Sequence, residues 1–415
     1  MSLAVTGAVL DGEQVGLREE DGLIAELGPS VGPKAGDEVL DAAGLLLAPP
    51  MVNGHTHAAM TLFRGFGDDM PLMEWLEEKI WPAEARLEPE DVYWGTRLAC
   101  LEMIRCGTTR FFDMYWHGTE AARAVADAGL RAVISSVIID QLDPARGEGM
   151  RPQALEVLDR LAEAGPRISP SLGPHAIYTV SSESLAWIAE MAREREIAMQ
   201  IHLSETEQEV RDCLEAHGKR PAAYLDELGF LGPLTVLAHG VWLDGAELEL
   251  IAERGATVVT NPAANMKLAV GGAFPYPAAA KAGVALGLGT DGVSSNSNLD
   301  SFDEVKLLGL IQKHAAGDPS TLPAEEALAI ARGRRSEALG ATPLEPGAPA
   351  DFLLLRGSDP ELSAGDLEAD LVYAAGGSVV DTTVVAGRVL MRDRLVPAAD
   401  ELVAEVRSRA SRLTS

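Results

Sequence analysis

Cysteine is scarce in this sequence and poorly placed for cross-links, since only Cys100, Cys106 and Cys213 occur. An odd set without CxxC spacing supplies neither a disulfide framework nor a metal knuckle, and suits a reducing compartment. Each cysteine is expected to be a small buried apolar side chain. Positive charge is also short: 34 Lys and Arg stand against 63 Asp and Glu, a net −29. Such a surface repels phosphate backbones and anionic lipid headgroups, which sets aside nucleic acid and membranes as partners. No apolar run is long enough to span a bilayer. The start, MSLAVTGAVLDGEQ, lacks the basic and apolar regions of a secretory signal, so a cytoplasmic location is expected.

What is present is ordinary globular material, with 47% hydrophobic and 23% charged residues. The length of 415 residues suits one large α/β domain with a smaller satellite. From residue 45 onward, short apolar runs alternate with amphipathic stretches. The runs are LLLAPPMVNGH (45–55), TTRFFDMY (108–115), RAVISSVIID (131–140), RISPSLGPH (167–175), IAMQIHL (197–203), LTVLAHG (234–240), ATVVTNP (256–262) and VALGLGTD (284–291). Continuous apolar runs suit parallel strands buried on both faces, and eight βα repeats close a (β/α)8 TIM-like barrel.

The flanks break that rhythm. Residues 1–48 and 347–400 read as short strands with Gly and Asp turns, each too small to bury a sheet face alone. Together they predict a small β-sandwich formed from both chain ends. The barrel is placed at 49–346, and a last helix at 401–415.

Catalytic groups of a barrel collect at the C-terminal ends of its strands. Of eight histidines, His55, His57, His175, His202 and His239 fall there, as does Asp291. His55 and His57 sit two apart on a strand, so both rings can face the lumen. With His202 and Asp291 they offer three neutral nitrogens and a carboxylate, a set suited to one Zn²⁺ ion, with Fe²⁺ second. Glu205, three residues beyond His202, is read as a proton carrier at the mouth rather than as a helix-dipole acid. His239 is expected to contact the nucleophile or leaving group, and His175 the substrate. His117, His217 and His314 have no assigned role.

PPMVNGHTHAAMTLFRG, HLSETEQEV, LAHGVWL, NPAANMKL and GLGTDGVSSNSNLD resemble motifs of the amidohydrolase superfamily. The likeness is to its cytosine, guanine and adenosine-type deaminase branch, above all to the 5′-methylthioadenosine/S-adenosylhomocysteine deaminases. That resemblance implies His55, His57, His202 and Asp291 as metal ligands. It implies Glu205 as the acid that protonates the ring nitrogen, with His239 beside the attacked carbon, stabilising the oxyanion and orienting the water. Asp291 would take the water's proton. The segment MEWLEEKIWPAEARL resembles the family's lid, where Trp75 would pack on the nucleoside and Glu84 would accept the ribose hydroxyls. His175 and Ser295 match further substrate-contacting positions. Relatives that bind S-adenosylhomocysteine are expected to hold its carboxylate with arginines after the third strand. Here Ser135 and Ser136 stand in that region, with Arg146 and Arg151 following as candidates.

The implied reaction is hydrolytic deamination of an adenosine-type nucleoside (5′-methylthioadenosine, S-adenosylhomocysteine, adenosine or 5′-deoxyadenosine) to its inosine analogue and ammonia. A homo-oligomer is implied by family habit. The fourth strand has no lysine to bridge two ions, which favours a mononuclear site. Competing readings are a related hydrolase acting on guanine, cytosine, a pterin or a triazine, and an inactive scaffold barrel. The diol-binding pair Trp75 and Glu84 speaks against the first, and the intact ligand set against the second. A nucleic-acid-editing deaminase is excluded by the missing CxxC motif.

Overall fold

The computed structural model describes residues 2–363 and 365–415. The chain opens with five short strands: β1 (Leu3–Leu10), β2 (Glu13–Glu20), β3 (Leu23–Gly28), β4 (Glu38–Asp41) and β5 (Leu45–Ala48). Asp11-Gly12 and Asp21-Gly22 take positive φ at both residues, the conformation that lets a two-residue turn match the twist of antiparallel strands.

The run expected as one strand over 45–55 is broken. Pro49 and Pro50 end β5 at Ala48, and β6 begins at Met51. Proline has no N–H to give to a ladder, so the chain leaves one sheet and enters another at this pair. The barrel then follows as β6 (Met51–Thr56), β7 (Thr108–Asp113), β8 (Arg131–Ile138), β9 (Ile168–Pro174), β10 (Ala198–Leu203), β11 (Thr235–His239), β12 (Thr257–Thr260) and β13 (Ala285–Leu288). These eight strands lie side by side in chain order, all neighbours parallel. Every residue of β6, β11 and β12 is buried, as strands covered by helices on one side and lumen side chains on the other must be.

The barrel closes between β13 and β6 largely through side chains. Asn53 Oδ1 accepts from Thr290 N (3.1 Å) and its Nδ2 donates to Thr290 Oγ1 (2.7 Å). Asp291 N donates to His55 O (3.0 Å), and Thr56 Oγ1 donates to Asp291 O (2.9 Å). Space at this seam is tight: a Cβ on Gly289 would stand 2.3 Å from Asn261 Oδ1 and 2.9 Å from His55 O.

After the barrel come β14 (Phe352–Arg356), β15 (Val380–Val385) and β16 (Arg388–Met391). They complete one mixed sheet in the order β16-β15-β14-β5-β1-β2-β3, with β4 also on β1. The chain ends therefore meet at the antiparallel β5–β14 pair, Leu47 opposite Leu354. This sheet buries its own cluster, including Leu3, Val5, Leu17, Ile24, Leu47, Phe352 and Val384. The last helix, Ala399–Thr414, returns to the barrel helix Pro89–Arg105, where Arg409 and Arg412 pair with the buried Asp91. Among the described residues no helix is long and apolar enough to cross a membrane.

Sheet and barrel are joined by a forked ion pair: Arg131, at the start of β8, donates through Nε (2.7 Å) and Nη2 (3.1 Å) to the fully buried Asp351. Arg131→Ala is expected to cost about 3 kcal/mol, because Asp351 would keep a buried, uncompensated charge. Denaturant titration checks this; a loss below about 0.5 kcal/mol, the scale of an exposed pair, would show that the fork does not matter.

Candidate metal centre and active site

Three strand ends deliver the four expected ligands to one point. His55 and His57 leave β6 on the same side, His202 lies near the end of β10, and Asp291 follows β13. Nε2 of His202 stands 3.1 Å from His55 Nε2 and 3.2 Å from His57 Nε2. Asp291 Oδ1 stands 3.1 Å from His57 Nε2 and 3.6 Å from His55 Nε2. Ligands bound tetrahedrally at 2.0–2.1 Å lie about 3.3 Å apart, so these separations fit a single cation at the centre.

Proton placement gives the same result. His57 Nδ1 is 2.6 Å from Met114 O, and His202 Nδ1 is 2.7 Å from His175 O. A carbonyl only accepts, so both rings carry their proton on Nδ1. His55 Nδ1 faces Gln200 Oε1 at 3.3 Å. The orientation of that amide is fixed because Gln200 Nε2 donates to Asp113 O (3.0 Å) and Ser135 Oγ (2.7 Å). All three Nε2 lone pairs thus converge, an arrangement a cation would relieve. Burial depresses the pKa of His55 to about 4 and that of His202 well below the usual value. His57 is the exception. Burial alone would lower it, but the hydrogen bond and charge of Asp291 raise it to about 9. The buried carboxylate, itself held well below the usual range by these histidines against its own desolvation, draws positive charge into the cluster.

His239 is the fifth imidazole here; it shares a group with His55, His202 and Asp291 whose ligand atoms lie within 4.8 Å of one another. Its Nδ1 is 2.8 Å from Asn265 Oδ1. A second amide, Asn261 Nδ2, lies farther from the same nitrogen, at 3.3 Å. Both amides meet Nδ1 rather than Nε2. That Nε2 lies 3.9 Å from Glu205 Oε2. Burial raises the Glu205 carboxyl to about 8, with the charge of Asp291 adding to the effect.

His57, His202, Glu205, His239 and Asp291 line a cavity of about 90 Å³ together with Met60, Trp75, Glu84, Tyr178 and Leu268. It adjoins a chamber of about 610 Å³, and Trp81, Glu84, Tyr115, Trp116 and His175 are walls of both. The lid-like segment is a turn of helix (Leu72–Trp75), a five-residue π turn (Leu76–Ile80) and a second helical turn (Trp81–Glu84). Trp75 is buried, with Nε1 donating to Phe66 O (3.0 Å). Both oxygens of Glu84 are engaged, by Tyr115 Oη (2.7 Å) and Trp116 Nε1 (3.2 Å). Burial raises its carboxyl pKa despite these donors.

His175 faces both cavities, its Nδ1 3.0 Å from Thr179 Oγ1. Ser295 reaches the inner cavity but commits its hydroxyl to Asp291 Oδ2 (2.7 Å). Arg146 is at the rim of the outer chamber, exposed and bonded to Gln141. Arg151 is not brought to the site: its guanidinium lies 5.2 Å above the Trp187 ring, and it lines neither cavity. The helix Pro144–Glu163 directs it toward the neighbouring helix Ser182–Arg195.

Sequence reasoning missed Gln200, Asn265, Tyr115 and Trp116. Gln200 was within reach of it, lying two residues before His202 and hence on the same strand face.

Comparison with known proteins agrees with this arrangement. Residues 46–390 match the amidohydrolase family. A 5′-deoxyadenosine deaminase of Methanoregula boonei is 50% identical over 380 residues, covering 90% of this chain and 86% of its own. A 5-methylthioadenosine/S-adenosylhomocysteine deaminase 1 of Archaeoglobus fulgidus is 42% identical over 392 residues, 92% of each. The crystal structure of a zinc-bound adenosine deaminase from Xanthomonas campestris superposes with a TM-score of 0.92 at 33% identity, covering 99% of this chain and 98% of its own. By sequence match and by fold, the chain belongs to the amidohydrolase family.

Proposed function

We propose that the protein is a metal-dependent deaminase of adenosine-type nucleosides, releasing ammonia and the inosine analogue. The observation that carries this is the convergence of three histidine Nε2 atoms and Asp291 Oδ1 at 3.1–3.6 Å separations, beside the buried carboxyl group of Glu205. The names of the relatives at 42–50% identity support the nucleoside substrate.

We assign His55, His57, His202 and Asp291 as ligands of one divalent cation per chain. His57 is preferred to His239 because it makes the tighter set. Zinc is the first candidate, given the zinc in the related adenosine deaminase, and Fe²⁺ the second. No lysine stands in β9 to bridge a second ion. The cation supplies a water acidic enough to attack at neutral pH, its pKa drawn from about 16 towards about 7.

The protein side chains do the rest. Asp291, its second oxygen held by Ser295, takes the proton the attacking water releases. Glu205, protonated at pH 7, gives its proton to the ring nitrogen beside the amino-bearing carbon and so removes the aromaticity that resists addition. Neutral His239, its Nδ1 turned to Asn265 and Asn261, presents Nε2 to the cavity near Glu205. There it orients the attacking water and stabilises the oxyanion that develops, the two roles the resemblance implies for it. The proton held by Asp291 leaves with the amino group as ammonia, and the hydroxyl proton left on the attacked carbon passes to Glu205 as the carbonyl forms, which restores the protonated acid. Glu84 and Trp75 receive the ribose and base, and the outer chamber receives the 5′ substituent.

A deamination panel of adenosine, 5′-methylthioadenosine, S-adenosylhomocysteine, 5′-deoxyadenosine and guanine tests the substrate class. Ammonia release from the nucleosides is expected, and activity confined to guanine would end the nucleoside reading. Glu205→Gln should lower kcat by about 10²–10⁴-fold. With a carboxyl pKa near 8, the working form is the protonated one. The wild-type rate should therefore fall as pH rises through about 8, and that limb should vanish in the variant; an unchanged alkaline limb would remove Glu205 as the donor. Chelation should abolish activity and lower the thermal midpoint, since an ion that binds only the folded state stabilises it, and added zinc should restore both. Full activity in ion-free protein would defeat the ligand assignment.

A further inference from the structure

The segment Thr206-Glu207-Gln208-Glu209 has the form of a capping box, in which the acid three residues into a helix bonds back to the N-cap amide. Among the described residues two helices do so: Glu247 returns to Asp244 N (3.1 Å), and Asp91 to Glu88 N (2.9 Å). The helix Glu207–His217 does not. Thr206 Oγ1 caps Glu209 N (3.2 Å). The Glu209 carboxylate, however, passes the N-cap and accepts from Ser204 N (2.8 Å) and Glu205 N (2.9 Å). Glu209 is 4% exposed, so both bonds lie out of water. The loop it grips is held from the other side too, where Gly240 N donates to Leu203 O (3.0 Å) and Trp242 N to Ser204 O (2.9 Å). Ser204 is thereby kept at φ 50°, a conformation a serine seldom adopts unaided. This turn separates the ligand His202 from Glu205.

We infer that Glu209 is a positioning residue for Glu205: by taking both amides of the Ser204–Glu205 turn on the two oxygens of one buried carboxyl group, it fixes the reach of Glu205 into the cavity beside His239. The inference rests on the role given to Glu205 above. A shorter or singly accepting side chain would free one amide and let the turn relax, and misplacement of a reacting group by about 1 Å can cost up to about 10²-fold in rate.

Glu209→Gln is the test, measured as kcat, KM, zinc content and thermal midpoint in the zinc-loaded full chain. Expected are a kcat about 10- to 100-fold lower, with KM and bound zinc unchanged. Repeated on Glu205→Gln, the substitution should cost less than about 2-fold, since residues acting through one another are non-additive. A merely structural role would lower the midpoint and leave kcat of the folded enzyme intact, and that result overturns the proposal. An equal kcat loss in both backgrounds also overturns it. Should Glu209→Gln not accumulate as folded protein, Glu209→Asp, which keeps the carboxyl group but shortens the reach, must show the same kcat loss and the same non-additivity. A wild type inactive on every adenosine-type nucleoside would refute the substrate reading, whereas an active wild type with an unaffected variant would refute this inference alone.

Discussion

The seam between the eighth and first barrel strands is the constraint on which the site depends. Asp291 closes the barrel with its backbone, through His55 O and Thr56 Oγ1, while its side chain faces His57 and His55. Ligand geometry and barrel closure are therefore one arrangement, and a register error at the seam would scatter the donor set. Asn53 and Thr290 carry the pairing where the strands themselves do not, and Gly289 leaves the space they need. Among His55, His57 and His202, two of the three outer ring hydrogen bonds also end on strand-end carbonyls, Met114 O and His175 O. The fold's closure thus sets ring orientation as well as ring position.

Much of this was legible in the sequence because it obeys short periods. Eight apolar runs gave the barrel, and the two-residue spacing of His55 and His57 put both rings on one strand face. The split run at 45–55 was harder to read. Its apolar pattern is continuous, and only the missing N–H groups of Pro49 and Pro50 separate a sheet strand from a barrel strand. Arg151 shows a different limit. A loop-side arginine after the third strand looked available for a substrate, but its direction depends on which helix face meets Trp187. The place of Gln200 on the lumen face was legible from its spacing to His202, but its role and that of Asn265 were not, because an amide's function lies in which end it turns to its neighbour, and that follows from tertiary partners such as Asp113 O.

Burial separates acid from base in this cavity. Desolvation disfavours the charged form of any group, so it pushes His55, His175, His202 and His239 down and Glu205 up. At neutral pH the same dry environment therefore supplies neutral ring nitrogens and a protonated carboxyl, the pairing that addition of water to an aromatic ring requires. Asp291 and His57 are the exceptions: each holds the other in its charged form, the carboxylate well below its usual range and the imidazole raised to about 9. The overall acidity of the chain plays no part in this balance.

Strain follows function around the rim. Ser204, His239 and Asp291 all take positive φ, at 50°, 73° and 58°. For residues with a Cβ this costs of order 1–3 kcal/mol each. All three lie at or just beyond the ends of β10, β11 and β13, where the chain must turn out of the barrel while a side chain still points in. An extended conformation would carry the side chain on along the strand's alternation; the left-handed one turns the backbone away and leaves the imidazole or carboxylate facing the lumen. Each strained residue is held by bonds to a neighbouring element: Ser204 by Glu209 and Trp242, His239 by Asn265, Asp291 by His55 and Ser295. These groups therefore meet because neighbouring strands hold three unfavourable turns in place.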